Sequence, residues 1–284
     1  MVTPSGLLPD STAIGRVALR VDDRERVARF YEDVLGLEAT ATRDGQTVLS
    51  AGEDPLLVLL EDADAPSRAP DEAGLFHTAI RVPSRGALGD VVARIETRWT
   101  LDGTADHLVS EALYLTDPEG NGVEVYRDYP REAWPIADDG TIGIDTKPLD
   151  VAAVRATADG RDDCPPGTDV GHVHLEVTSL AAARDFYVDG LGLEITQRYR
   201  DSALFLAAGG YHHHVGLNVW NRRTAQKQGR GLGWFEIVVP NGVAVAAVRE
   251  RLQAAGVETR DVGDGFSAAD PGGIGVRVRE KSSV

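Results

Sequence analysis

Seven histidines are scattered through this 284-residue chain, and their placement is the first chemical signal. His77 opens an apolar run, FHTAIRV (76–82), and His172 opens a second, GHVHLEV (171–177). Three more stand together as His212, His213 and His214 within GYHHHVGLNVW (210–220). Glu124 lies between Val123 and Val125, so in a strand its carboxylate faces away from theirs. If the valines enter a core, Glu124 enters the opposite pocket, where a carboxylate is costly unless paired or bound to a metal. Imidazoles beside a carboxylate suit divalent-metal ligation or proton transfer near neutrality. Cys164 is the only cysteine, which excludes an internal disulfide and a thiolate metal cluster. Further along, His107 follows Asp106, and Tyr114 stands ten residues before Glu124.

The elements that carry these residues repeat. GRVALRV (15–21) followed by FYEDVLGLE (30–38) returns as GHVHLEV and SLAAARDFYVDGLGLE (179–194) at a constant offset of 156 residues. FHTAIRV and GWFEIVV (233–239) read as further copies of the opening strand, which makes Arg16, His77, His172 and Trp234 equivalent. Each opening strand alternates as a half-buried strand should: His172, His174 and Glu176 share one face, Val173, Leu175 and Val177 the other. A helix follows, with Val27, Phe30, Tyr31 and Val34 at helical spacing and Gly36 as its stop. Shorter strands follow, including 47–51, 55–61, 202–209 and the pair in EALYLTDPEGNGVEVY (111–126) split by a DPEGNG turn. Ala87–Thr97 and Val243–Ala255 supply the other two long helices, and 150–157 reads as a short one. The spacing predicts an α+β fold of four βαβββ modules, two in 11–128 and two in 169–280, with 129–168 as linker.

Composition bounds the partners. The formal net charge is -16, with 45 acidic and 29 basic residues, which repels nucleic acid and anionic lipid. Only Lys147, Lys227 and Lys281 are lysines; an acidic, Arg-rich surface suits a halophilic cytoplasm, where salt screens self-repulsion. No basic segment followed by an apolar run opens the chain, and no stretch is long and apolar enough to span a bilayer. The expectation is a cytoplasmic protein with neither nucleic acid nor membrane as partner, and by base rate a homodimer.

The paired segments GYHHHVGLNVW and DHLVSEALYLTDPEGNGVEVY (106–126), with FY…LGLE in both halves, resemble the vicinal-oxygen-chelate superfamily of glyoxalases, bleomycin-resistance proteins and extradiol dioxygenases. The likeness is greatest to bacterial catechol-2,3-dioxygenase-like ring-cleaving proteins. It implies that the four βαβββ modules form two half-barrel domains, with a concave face that holds one metal. The ligands then come from the second residue of a module's first strand and from its last strand. Module one offers Arg16 and the apolar run around Val58, and module four offers Trp234 and Arg277, the position matching Glu124. Modules two and three hold all the plausible ligands, so His77, Glu124 and His172 form the expected site, and module two is expected to pair with three, and one with four. Two histidines and one carboxylate suit Fe(II) and leave positions open; Mn(II) or Zn(II) accepts the same set.

The resemblance also assigns the surroundings. Tyr114 matches a tyrosine that hydrogen-bonds the metal-bound substrate oxygen. His107 falls in the substrate-loop region as an acid–base group or clamp, oriented by Glu111 if that side chain is not simply exposed. A histidine that manages a proton during oxygen activation falls near His212–His214. His214 is favoured because it follows His172 by 42 residues, as Val58 follows Arg16, with His213 the alternative if the register differs. Read as strand residues, His212 and His214 face one way and His213 the other, and His212, Asn218 and Trp220 shape the substrate wall. The implied activity is extradiol cleavage of a catecholic or hydroquinone-like aromatic by dioxygen at a mononuclear metal. One of His212–His214 as a fourth ligand would instead imply a glyoxalase-like isomerase or lyase. A metal-free small-molecule binding protein is the non-enzymatic alternative.

Overall fold

The computed structural model describes residues 7–43 and 45–281; most of the opening stretch read for an export signal, 1–6, lies outside them. The strands form two curled eight-stranded sheets. In sequence order they are β1 (Ala13–Val21), β2 (Glu38–Arg43), β3 (Gln46–Ala51) and β4 (Asp54–Glu61) in module one, and β5 (Gly74–Arg81), β6 (Gly103–Asp106), β7 (Ser110–Thr116) and β8 (Gly122–Asp128) in module two. Module three has β9 (Asp169–Glu176), β10 (Glu194–Tyr199), β11 (Ala203–Ala207) and β12 (Val215–Asn218), and module four β13 (Gly231–Val239), β14 (Arg260–Val262), β15 (Gly265–Ala269) and β16 (Gly275–Glu280). One sheet runs β14-β15-β16-β13-β1-β4-β3-β2, the other β10-β11-β12-β9-β5-β8-β7-β6.

In every module the first strand pairs in parallel with the last: β1 with β4, β5 with β8, β9 with β12 and β13 with β16. Parallel neighbours need a crossover, and the first crossover leg is a helix in each case. These are α1 (Arg24–Phe30), α2 (Arg85–Arg98), α4 (Leu180–Arg184) and α5 (Gly242–Ala254), with α3 (Val151–Arg155) between modules two and three. Asp23, Ser84, Ser179 and Asn241 cap them, each side chain accepting from the backbone N–H three residues on.

The chain divides into two units. The first comprises Arg16–Ala65 and His77–Gly171. Here α1 runs into a wider π turn, Tyr31–Leu35, rather than continuing regularly to Gly36, whose φ of 76° then ends it. The turn carries Tyr31 into the core, where burial and then the charge of Asp117 raise its pKa. Glu119 from the same DPEGNG turn accepts from the backbone N–H groups of Asp22 and Asp23, so the hairpin of module two braces the helix entry of module one. The 129–168 stretch is more than a slack connector. Arg94 on α2 donates to the Arg161 carbonyl, Cys164 N–H to the Gly36 carbonyl, and Gly160 N–H to Asp90.

The second unit comprises Met1–Gly15, Pro66–Phe76 and His172–Val284. It repeats the device: α4 widens into a π turn, Asp185–Gly190, and the buried Tyr187 hydroxyl donates to Asp270 at 3.1 Å. Asp270 also accepts from Gly272 and Ile274 N–H. Burial outweighs these bonds and pushes the Asp270 carboxyl from 3.8 up to about 6. A folded-state value above the unfolded one means that the native chain binds the extra proton. This group's contribution to stability therefore grows as pH falls through about 6, by on the order of 3 kcal/mol at most. Urea midpoints measured from pH 7 to 4.5 should show that component in the parent protein and lose it in Asp270→Asn; an unchanged slope would refute the assignment.

Candidate metal centre

His77 lies on β5 and Glu124 on β8. The parallel register pairs Thr78 with Val123 and Ala79 with Glu124, so His77 and Glu124 emerge on one face while Val123 and Val125 are buried on the other. Both polar side chains are buried, and His77 Nε2 stands 2.9 Å from Glu124 Oε2. Two donors each about 2.1 Å from one ion and at right angles lie about 3.0 Å apart, so the separation fits a shared cation. His77 and Glu124 thus each offer a ligand atom to one ion, and the third expected donor, His172, stands on the opening strand of module three.

Tyr114 on β7 stands directly opposite Glu124, with its ring centroid 5.7 Å from that of His77. Burial, then the charge of Glu124 and a hydrogen bond to it, raise the phenol's pKa well above 10.0. The Tyr114 hydroxyl is 2.6 Å from His107 Nε2, and His107 Nδ1 is 2.7 Å from the Asp145 carbonyl. A carbonyl only accepts, so Nδ1 carries a proton and donates to Asp145, while the phenol has a single proton to share between His107 Nε2 and Glu124. The turn that aims His107 includes Leu108 at a φ of 68°, tied by its N–H to Asp106. Glu111 does not orient His107 and is not exposed. It is 3 % exposed and gripped by Arg85 and Arg127, because alternation along β7 leaves it on the face opposite Tyr114 and Glu124's carboxylate.

In the second unit His172 is 1 % exposed on β9. The histidine run does not belong to a strand: β12 begins only at Val215, and His212–His214 occupy the bend before it. The alternation expected for them therefore does not apply. His213, and not the favoured His214, packs its ring on His172, at 4.0 Å between centroids. His212 lies 5.9 Å from His172, with its Nδ1 2.7 Å from that of His213. His214 turns to Tyr211, and its Nδ1 accepts from Ala208 N–H.

The register explains the miss. Val58 pairs with Ala18 in module one, but the residue paired with the equivalent His174 is Gly216. The approach to β12 is two residues longer, so counting 42 positions from His172 stops short of the strand. Asn218 is fully buried, its Oδ1 accepting from Trp220 N–H, so it shapes the turn and lines no open surface. Trp220 is 42 % exposed and packs edge-on against Phe76 and His174.

His174, Phe76, Phe205 and Trp220 form an aromatic group beside His213. Trp220 was expected at the substrate wall, and His174 had a signal in sharing the His172 face, whereas Phe76 and Phe205 were not singled out. Glu176, third on that face, is clamped by Arg68 at 2.5 Å, Arg223 at 3.0 Å and Asn221 at 2.5 Å. Gly216 is required by the same packing, since a Cβ there would stand 2.8 Å from the His174 ring.

These features agree with what the chain is similar to. The family model described as Glyoxalase/Bleomycin resistance protein/Dioxygenase superfamily matches residues 13–125 and 169–278, and the chain belongs to that superfamily. It is 36% identical over 270 residues to the catechol-2,3-dioxygenase of Bacillus subtilis (strain 168), covering 92% of this chain and 95% of that one. The metapyrocatechase of Geobacillus stearothermophilus is 24% identical over 212 residues, 70% of this chain and 57% of that protein. Glyoxalase I from Zea mays shares the fold, with a TM-score of 0.59 at 16% identity over 95% of this chain and 92% of that one. The chain is thus an oxidoreductase of the dioxygenase type. No helix among the described residues is long and apolar enough to cross a membrane.

Substituting Gly216→Ala should destabilise the protein by about 1–3 kcal/mol through overpacking against His174. Urea unfolding checks this, and an unperturbed midpoint would mean that the ring has room to move.

Proposed function

We propose that this protein cleaves the ring of a catecholic or hydroquinone-like aromatic diol with dioxygen, in the extradiol manner, at Fe(II) held by His77, Glu124 and His172. The observation that carries the reading is the Tyr114–His107 hydrogen bond placed beside the His77–Glu124 pair. It puts a phenol and an imidazole next to two of the three proposed donors. A ferrous ion there would supply a Lewis acid for the diol and a one-electron route to dioxygen; Mn(II) accepts the same donors. A site with three protein donors leaves room for both substrates, which favours this reading over a four-ligand isomerase.

The chain's own side chains do the rest. The Tyr114 hydroxyl orients a substrate oxygen and stabilises negative charge as it develops there. His107 Nε2 takes a proton from Tyr114 and returns it, because the Asp145 carbonyl fixes the other ring nitrogen as a donor. His213 is the histidine of the run placed to handle a second proton, through its contact with His172. Phe76, Phe205 and Trp220 limit water and favour a flat ring. Both atoms of dioxygen enter the ring-opened product.

The test is anaerobic loading with Fe(II), followed by dioxygen uptake and the yellow ring-fission product over a panel of catechols. Stoichiometric uptake is expected, abolished in His77→Ala, Glu124→Ala and His172→Ala. No uptake across the panel by folded, iron-loaded protein would overturn the reading. Full activity without either histidine would overturn the ligand assignment. His107→Gln should lower kcat by about 10²-fold or more and flatten its pH profile, with Tyr114→Phe losing a similar factor. A change confined to KM would instead make His107 a substrate clamp.

A further inference from the structure

On α2, Asp90, Arg94, Thr97 and Arg98 recur at helical spacing and so share one face. That face meets α3 and the stretch that follows it. The two helices approach so closely that a Cβ at Gly89 would stand 2.7 Å from the Ala158 amide nitrogen and from the Val154 carbonyl oxygen. Beside this contact lies a cavity of about 330 Å³, lined by Asp90, Arg94 and Arg98 from α2, Arg155 from α3 and Arg161 beyond it. All of these residues belong to one unit. Asp90 is 3 % exposed; its Oδ1 accepts from Gly160 N–H at 2.7 Å, while its Oδ2 is buried and has no hydrogen-bond partner among the described residues. A carboxylate oxygen buried without a donor is costly, so the cavity favours a ligand that donates there.

We propose that this cavity binds inorganic hydrogen phosphate. Its lining carries four guanidiniums against the two carboxylates of Asp90 and Asp162, so it is locally positive in a chain whose net charge is -16. Arg94 is buried and locked to the Val34, Leu35 and Arg161 carbonyls, so it contributes charge more than hydrogen bonds. Arg98 donates to the Asp33 carbonyl and to Asp162, Arg155 through Nε to Glu96, and Arg161 through Nη2 to Asp163. Those bonds use only part of each guanidinium's donor set. An anion that enters must also face Asp90 Oδ2. A fully deprotonated oxyanion would set oxygen against oxygen with no proton between them. Hydrogen phosphate keeps an O–H that donates to Oδ2, while its other oxygens accept from Arg98, Arg155 and Arg161. It would thereby tie α2 to α3 and to the 160–162 stretch, the elements that already hold the π turn of module one through Arg94. The inference is independent of the ring-cleavage reading.

Isothermal titration of the full protein at about pH 8 and constant ionic strength tests it, with phosphate, sulfate, methyl phosphate and glycine as probes, before and after metal is stripped. One phosphate site with a Kd of about 1 mM or tighter is expected in both preparations. Sulfate and methyl phosphate, which carry no proton at that pH, should bind at least about tenfold more weakly. Arg155→Gln, at an exposed position where folding is not at stake, should weaken phosphate about fivefold. Asp90→Asn keeps an acceptor for Gly160 and offers an N–H in place of Oδ2, so the preference for phosphate over sulfate should collapse to within about twofold. Absence of a phosphate site would overturn the proposal. So would sulfate binding as tightly as phosphate, binding indifferent to Arg155→Gln, full discrimination retained in Asp90→Asn, or loss of the site on metal removal. Tighter binding of glycine than of phosphate would overturn it in favour of a zwitterion.

Discussion

The parallel contact between the first and last strands of each module governs what the molecule can do. It brings the second residue of one strand within side-chain reach of a residue near the module's other end, with the helix and two strands absorbed in the crossover. In module two this sets an imidazole 2.9 Å from a carboxylate. Neither group tolerates burial by itself, so the pair belongs where a cation can complete it. The same contact in module four sets an indole against a guanidinium. One backbone arrangement thus serves two kinds of charge, decided by which side chains the register delivers.

Around that contact the structure fixes side chains by hydrogen bonds to backbone. His107 is set by a carbonyl from the connecting stretch at Asp145, and His214 by an amide at Ala208. Glu111 and Glu176 are each neutralised by two arginines. Buried charge is in this way compensated locally, although the chain as a whole is acidic.

Much of the arrangement was legible in the sequence because it repeats. The offset of 156 residues identified equivalent positions, and alternation around Glu124 told which way the carboxylate faces. The stop of the first helix was read from Gly36. What failed depended on a count that loops do not preserve. Two additional residues before β12 moved the strand start past the histidines, so a spacing borrowed from module one pointed at His214 and missed Gly216. The aromatic group around His174 was illegible for another reason. Phe76 and Phe205 are distant in sequence, and only the tertiary fold brings them to His174 beside the expected Trp220. Tyr114 and His107 carried a motif, but their mutual hydrogen bond was not deducible from spacing.

The long-range hydrogen bonds inside each unit have a kinetic consequence. Tyr187 reaches Asp270 across 83 positions, and Asp22 reaches Glu119 across 97. Such closures are entropically slow, since a long loop must be ordered before the contact rewards it. Each module can form its hairpins early, yet neither unit can seal its core until its later hairpin arrives to meet the π turn. The time spent waiting is spent with apolar sheet faces open, so the speed of that docking step sets how much of the newly folding chain is lost to aggregation.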